Sequence, residues 1–501
     1  MGARAARTIE YGEFQTPPEL AGAVAAFLRE AGASPSVVVE PTCGSASFVS
    51  AAMSHFPNVR QIFAFDVERN HVASVQERHH RDKGIRLSVR EQDFFTFDWK
   101  GFFRGLEGEI LVLGNPPWIT NSALGLLESR NLPEKSNFQK HAGIAAKTGK
   151  ANFDISEWML IRLIESLDNR PACIAMLCKT AVARKVLKHG WLNHLPMGRP
   201  AIHLIDAAKH FGVAASACLL VVRAGDFDPD CRADAYQDLG FDKKAATLGL
   251  KGTHVVPDID EYERVQDLDG LSQYEWRSGV KHDAAPVMEF TKNGSALVNG
   301  IGERVELEPR FLFPLLKSSD VANGRITPTR SVLVTQRRPA DDTGSIASLA
   351  PKTWSYLLSH GDFLDRRKST VYRKRPRFSM FGIGDYTFSP WKVAVSGFYR
   401  DYRFQVVRMH ENKPVVLDDT CYFFPCASEE EASLVSFILT SGPGRSFLRA
   451  LTFPDAKRPL TVEVLNRLDL ARLSERLGLG EKARQYFGRK ASADPALRGR
   501  I

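Results

Sequence analysis

The 501-residue sequence predicts an α/β fold, a mostly parallel sheet with an antiparallel edge hairpin, followed by a second domain of α+β type. Three observations predict it. Near-continuous apolar runs alternate with helical stretches through the first third of the chain, the pattern of a parallel sheet covered on both faces. Two further apolar runs follow with little helix between them, which reads as a hairpin closing one sheet edge. After Asp228 the alternation stops, and short apolar runs are broken by Gly, Pro and charged clusters. The expected domains are therefore 1–228 and 229–501.

The elements follow in order. Strands are expected at Val37–Glu40, Gln61–Asp66, Arg86–Glu91, Ile110–Leu113 and Cys173–Leu177, and the closing hairpin around His203–Ile205 and Ser216–Arg223. Helices are expected at Pro18–Glu30, Ala46–His55, Asn70–His80 and Asp154–Leu167. The second half is rich in aromatics and Arg, notably over Asp365–Arg408. Leu460–Arg484 reads as an amphipathic helix followed by a basic tail.

Composition bounds the chemistry. An apolar fraction of 44% with 25% charged residues is ordinary for a soluble globular protein. No run approaches the roughly 18 apolar residues of a membrane span. The N-terminal MGARAARTIEYGEF has no apolar signal core, so secretion is not expected. The seven cysteines, Cys43, Cys173, Cys178, Cys218, Cys231, Cys421 and Cys426, form no CxxC pair. That argues against zinc-ribbon and thioredoxin chemistry and suits a reducing cytosol. A net charge of +9 leans toward a polyanionic partner.

In open α/β sheets, ligands bind beyond the carboxyl ends of the strands. The first expected strand ends in Glu40-Pro41-Thr42-Cys43-Gly44-Ser45-Ala46, small residues that let backbone approach a ligand. The second ends in Phe65-Asp66-Val67-Glu68, where an acid can accept from two ribose hydroxyls. The third ends in Gln92-Asp93-Phe94-Phe95, where Asp93 can accept from an adenine amine and Phe94 can cover the ring. Each fragment alone reads as a turn or a capped strand end. Their succession at evenly spaced strand ends points to a nucleoside-type cofactor, although the GxGxxG of a dinucleotide site is missing.

The fourth strand runs into Asn115-Pro116-Pro117-Trp118. An amine on an aromatic base is a poor nucleophile, because its lone pair is delocalised into the ring. The Asn115 side-chain carbonyl can accept one N–H and the Pro116 backbone carbonyl the other, turning the lone pair toward an electrophilic methyl. Pro116 and Pro117 stiffen the loop, and Trp118 offers a stacking face. This chemistry needs neither a metal nor a covalent enzyme intermediate.

These residues carry a resemblance. The chain resembles the Taq-type adenine-N6 DNA methyltransferases of bacterial restriction–modification systems over about residues 11–225. Phe14-Gln15-Thr16-Pro17-Pro18-Glu19 matches the family's Thr-Pro-Pro segment, and Glu40 to Phe48 its cofactor loop. Asn115 to Trp118 matches its Asn-Pro-Pro-aromatic motif, and Gly149-Lys150-Ala151-Asn152-Phe153-Asp154 the segment that follows. The resemblance implies a Rossmann-like methyltransferase domain that binds S-adenosyl-L-methionine through Thr16, Glu40, Cys43, Gly44, Asp66, Asp93 and Phe94. It also implies a target recognition domain in the second half, and Phe211 of His210-Phe211-Gly212-Val213 as a partner of Trp118 on an extruded base. Two features depart from the family: Trp118 stands where Tyr or Phe is usual, and the loop Thr42-Cys43-Gly44-Ser45-Ala46-Ser47 is less Gly-rich.

The run Arg366-Arg367-Lys368-Ser369-Thr370-Val371-Tyr372-Arg373-Lys374-Arg375-Pro376-Arg377-Phe378 concentrates positive charge with aromatic and hydroxyl groups, as expected of a surface on double-stranded DNA. Gln336-Arg337-Arg338 and Lys457-Arg458 add groups of the same kind. Pro229-Asp230 with Asp242-Lys243-Lys244 only loosely imitates a nuclease site, so any restriction endonuclease is expected as a separate chain. Protein glutamine and RNA methyltransferases use a similar Asn-Pro-Pro-aromatic site, but neither calls for a large basic second domain. The expected protein is a monomer in the bacterial cytoplasm, acting at the nucleoid.

Overall fold

The computed structural model describes residues 14–79, 84–119, 154–294 and 296–487. Residues 149–153 and the basic tail, both notable in the sequence, lie outside them. Contacts divide the chain into two compact units, Met1–Asp260 and Glu261–Ile501.

The first unit is built on strands β1 (Val37–Glu40), β2 (Gln61–Asp66), β3 (Arg86–Glu91), β4 (Ile110–Gly114), β5 (Ala172–Lys179), β6 (Ala201–Ile205), β7 (Ala217–Ala224), β8 (Arg232–Tyr236), β9 (Lys244–Lys251) and β10 (His254–Val256). They form one sheet in the order β10-β9-β8-β6-β7-β5-β4-β1-β2-β3. β3, β2, β1, β4 and β5 run parallel. Their carboxyl ends therefore share one edge. β1 and β4 are buried along their whole length, which is why they read as unbroken apolar runs.

Helices α1 (Pro18–Glu30), α2 (Ser47–His55), α3 (Arg69–His79), α4 (Trp99–Arg104), α5 (Ile155–Leu167), α6 (Thr180–Leu192) and α7 (Ala207–Phe211) accompany the sheet. α1 opens with proline, whose missing N–H costs nothing at a helix start, and carries Glu19 in its first turn and Arg29 in its last. Leu20, Ala21, Val24, Ala25, Phe27 and Leu28 form its buried stripe, which packs against α2. At ~1.5–3 kcal/mol for each fully buried Leu, Val or Phe, that stripe outweighs intrinsic helix propensity.

The structure departs from the sequence reading in three places. α4, α6 and α7 are additions to the expected helices, and α7 stands between the two strands of the hairpin. The hairpin does not close the edge: β7 lies between β5 and β6, and β8, β9 and β10 continue the sheet beyond β6. For that reason the first unit runs to Asp260 rather than residue 228. Side-chain bonds pin the added strands: Arg199 grips Asp234 through two bonds of 2.8 and 2.9 Å, and Asp260 accepts from Arg232 at 2.9 Å and Thr247 at 2.6 Å.

The second unit is α+β. One sheet has six strands, Glu289–Asn293, Ala296–Asn299, Arg304–Val305, Leu312–Leu316, Arg330–Leu333 and Val416–Leu417. A second has four, Arg277–Ser278, Trp391–Ser396, Gln405–Val407 and Cys421–Cys426. The expected helix over Leu460–Arg484 is three short ones, Val462–Asn466, Leu470–Arg476 and Gly480–Phe487. Asp469 caps the second by accepting from the Ala471 and Arg472 amides, and Gly478 turns the chain at a positive φ of 71°. No helix of the described residues is long and apolar enough to cross a membrane.

Candidate active site at the strand ends

A cavity of about 290 Å³ opens at the carboxyl ends of β1 to β4. Its wall includes Thr16, Glu40, Cys43, Gly44, Asp66, Phe94 and Asn115, so the parallel topology brings together groups that lie up to 99 positions apart in sequence (115 − 16).

The loop after β1 is shaped by Asp66 at the end of β2. The Gly44 amide donates to Asp66 Oδ2 at 2.8 Å, while the Glu68 amide and His71 Nδ1 meet Oδ1 at 2.8 and 3.3 Å. Gly44 holds a positive φ of 48°, and the fully buried Ala46 holds 62°, a left-handed conformation that costs a non-glycine residue ~1–2 kcal/mol. The Ser45 amide donates to Gln15 Oε1 at 2.8 Å, and Ser47 Oγ to the Thr16 carbonyl at 2.6 Å. The chain before α1 thus braces the loop.

Glu40 is the most unusual group in the wall. It is 3% exposed, and its Oε2 has no hydrogen-bond partner among the described residues. Burial raises its pKa well above the usual carboxylate range; a backbone bond from Val49 opposes the rise and the Asp66 charge adds to it. A buried carboxyl group with one oxygen unpartnered at a cavity suits a cationic ligand group, which would favour its charged form. Cys43 is a wall residue of a different kind: burial foremost, then the charges of Glu40 and Asp66, raise its thiol pKa and leave it unreactive.

After β3, Phe94 and Phe95 enter the wall, and Trp158 packs on both rings at 6.0 and 5.2 Å. Asp93 is not part of the wall; its Oδ1 accepts the Phe95 amide at 2.8 Å and shapes the turn that presents the two rings.

After β4, Asn115 Nδ2 donates to the Phe14 carbonyl at 2.8 Å. A carbonyl only accepts, so this bond sets the amide's orientation. Asn115 Oδ1 is left buried and without a partner among the described residues. Pro117 joins Asn115 in the wall. Trp118 does not; it is 4% exposed and packs with Phe14 and Phe211 at ring distances of 5.6 and 5.2 Å. Trp118 and Phe211 meet at 68°, edge to face, so a base enters between them only when the rings part.

Sequence reasoning did not single out Gln15 as a brace for the loop, nor His71, Phe95, Ile155 and Met159 as wall residues. Gln15 and Phe95 stand inside the quoted motifs, and His71 lies in the first turn of α3, five residues beyond Asp66.

In the second unit the basic run divides by role. Arg367, expected on DNA, is half-buried and engaged within the unit. Its guanidinium donates to the carbonyls of Leu364, Ser379, Arg377 and His282 at 2.7, 2.7, 3.1 and 3.3 Å and lies 3.7 Å over the Tyr372 ring. Arg377 pairs with Asp365 at 2.7 Å and Arg366 with Asp362 at 3.0 Å. Lys368, Arg373, Lys374 and Arg375 are exposed, with no carboxylate partner among the described residues, and Lys374 turns the tip at a positive φ of 63°. Gln336 is buried, bonded to the Met380 amide and the Arg338 carbonyl, while Arg338 pairs with Asp385.

No protein-family model matches the chain. A solved structure, that of the type IIL restriction–modification enzyme MmeI in complex with DNA, shares its fold with a TM-score of 0.55 over 89% of the chain at 12% identity. The chain spans 64% of that enzyme's length. The type II methyltransferase M.NspV of Nostoc sp. is 41% identical over 469 residues, covering 93% of this chain and 98% of that protein. With identity sustained over both units and across the whole length of that relative, the chain belongs to the type II methyltransferases.

Proposed function

We propose that the protein transfers a methyl group from S-adenosyl-L-methionine to the N6 amine of adenine in double-stranded DNA, as the modification component of a restriction–modification system. The observation that carries the reading is Asn115 Oδ1, a buried acceptor without a partner among the described residues, held in place by the Phe14 carbonyl at the cavity wall. Such an atom suits an exocyclic amine that must donate a hydrogen. M.NspV is named a type II methyltransferase, and MmeI is a restriction–modification enzyme in complex with DNA; both support methyl transfer to DNA in a restriction–modification setting.

The wall fits the cofactor. Glu40 Oε2 would take its cationic amino group. Asp66, whose Oδ2 keeps an acceptor site beyond the Gly44 amide, would take a ribose hydroxyl. Phe94 would cover the adenine, with Thr16, Cys43 and Gly44 contributing small groups and backbone, and Asp93 would act from behind the turn. When bound, the cofactor supplies an electrophilic methyl on a sulfonium. The chain's own residues then do the rest. Asn115 Oδ1 and the Pro116 carbonyl accept the two amine hydrogens, so that the lone pair faces the methyl. Pro117 keeps the loop stiff, and Trp118 with Phe211 gives the extruded base an aromatic surface worth ~1–3 kcal/mol. In the second unit, Lys368, Arg373, Lys374 and Arg375 would meet the DNA backbone, with Arg366 and Arg377 reaching it by exchanging their carboxylates for phosphate.

The test is nucleoside analysis by mass spectrometry of DNA incubated with the purified protein and labelled cofactor. N6-methyladenine is the expected product. Methylated cytosine, or label entering only RNA or a protein glutamine, would overturn the reading.

A further inference from the structure

Lys179 is the last residue of β5 and is not among the residues that line the cavity. Its ammonium nevertheless makes two bonds that bear on the site. It donates to the Trp118 carbonyl at 2.9 Å and pairs with Asp154 Oδ2 at 2.7 Å. Asp154 is 7% exposed and caps α5: its Oδ1 accepts from the Ser156 amide at 3.2 Å and from Ser156 Oγ at 2.6 Å. The first residue of α5 donates its amide to the Ile119 carbonyl at 2.8 Å, and Ile155 and Met159 line the cavity. One cation thus joins the end of the Asn-Pro-Pro-Trp loop to the start of a helix that walls the same cavity.

We infer that Lys179 is a positioning residue for methyl transfer, resting on the function proposed above: it holds the Trp118 carbonyl, and through it the peptide run from Asn115, in register with α5. A second lysine on this side of the sheet has a different role. Lys185, within α6, pairs with the buried Glu157 of α5 at 2.9 Å but does not bond to the catalytic loop. It is a matched control, since its removal also takes an ion pair from a carboxylate of the first turn of α5 while leaving the bond to Trp118 in place. A positive charge is required at 179 because the acceptors are a carbonyl and a carboxylate together; a neutral donor would leave Asp154 buried and unpaired. Preorganised acceptors lose rate steeply when displaced, by about 100-fold per ångström of misplacement.

The experiment uses the full chain, with labelled S-adenosyl-L-methionine and duplex DNA from a host that lacks this modification. Single-turnover transfer, cofactor affinity, DNA affinity with its salt dependence, and melting temperature are measured for Lys179→Met, Lys179→Arg, Asp154→Asn and Lys185→Met. Lys179→Met is expected to slow transfer by roughly 10–100-fold with both affinities within about twofold of the parent. Lys179→Arg should recover most of the rate. Asp154→Asn, which keeps the bond to Trp118, should fall between, and it carries the test if Lys179→Met does not fold. Lys185→Met should lower the melting temperature without slowing transfer. An unchanged rate in Lys179→Met and Asp154→Asn overturns the inference. So does a fall in DNA affinity with a shallower salt slope, which would make Lys179 a phosphate contact, or equal slowing in both lysine variants, which would make it a general support. A parent protein that methylates no DNA refutes the proposed function instead.

Discussion

The loop after β1 and the basic run of the second unit are both dense in functional-looking residues, yet they use them differently. Around β1 to β4, the expected cofactor and amine contacts gather almost entirely on one cavity, because parallel strands deliver their carboxyl ends to one edge. In the basic run, nearby arginines part company: Arg367 holds backbone carbonyls and an aromatic ring while Arg373 and Arg375 face solvent. A residue placed by strand topology inherits its surroundings from the fold. A residue placed in a charge run does not, and its neighbours in space decide its work.

The largest expected effect tests the first half of that contrast. Asn115→Ala should cut single-turnover methyl transfer by about 100-fold or more while cofactor affinity stays within a few-fold, the usual scale for one preorganised transition-state contact. Full activity in this variant would break the assignment of Oδ1 as the amine's acceptor.

The second prediction sets the arginines against one another. Arg367→Ala should cost about 2–3 kcal/mol of stability, read as a fall in melting temperature, because it removes charged bonds from several buried carbonyls. Arg373→Ala with Arg375→Ala should leave melting unchanged and flatten the salt dependence of DNA binding, by about one unit of slope for each phosphate no longer neutralised. If the double variant melts early, or if its salt slope is unaltered, the arginines do not divide into an anchor and a DNA-facing pair.

Asp66→Ala comes next. It should weaken S-adenosyl-L-methionine binding by roughly tenfold, through the missing ribose acceptor and the loosened Gly44 loop. Calorimetry giving the parent affinity would remove Asp66 from the site.

The smallest effect is a fraction of a proton. Because burial raises the Glu40 pKa, the free carboxyl retains its proton above the usual carboxylate range. A cationic ligand group favours the charged form, so cofactor binding should release protons. Affinity should then rise with pH until the free carboxyl is itself ionised, and flatten above that point. Calorimetry in buffers of different ionisation enthalpy measures the release; proton uptake, or a release that persists in Glu40→Gln, would refute it.

Much of the first unit is legible in the amino-acid order alone. β1, β2, β3 and α1 fall where the apolar runs put them, because each needs only its own residues to declare period and length. Asn115-Pro116-Pro117-Trp118 is legible for a related reason: it is a rare local combination at the end of a recognisable strand. Less is legible where burial is shared between distant segments. β8 to β10 lie beyond the point where the strand–helix alternation stops, and they join the sheet by backbone pairing with β6 and with one another, reinforced by Arg199 with Asp234. Trp118 reads as a stacking face, and only the packed chain shows that Phe14 and Phe211 close around it.

The chain by itself therefore determined the parallel strands, the sequence of their carboxyl ends along one edge, and the Asn-Pro-Pro-Trp tetrapeptide that follows β4, since these follow from local pattern. Only the tertiary structure decided which Asn115 atom is free, because the carbonyl that orients the amide is 101 residues away. It likewise decided that Arg367 is an anchor, through an acceptor 85 residues distant, and that Lys179 reaches Trp118 across 61. Hydrogen bonds at that separation depend on how the whole chain packs, and no pattern within a short window encodes them.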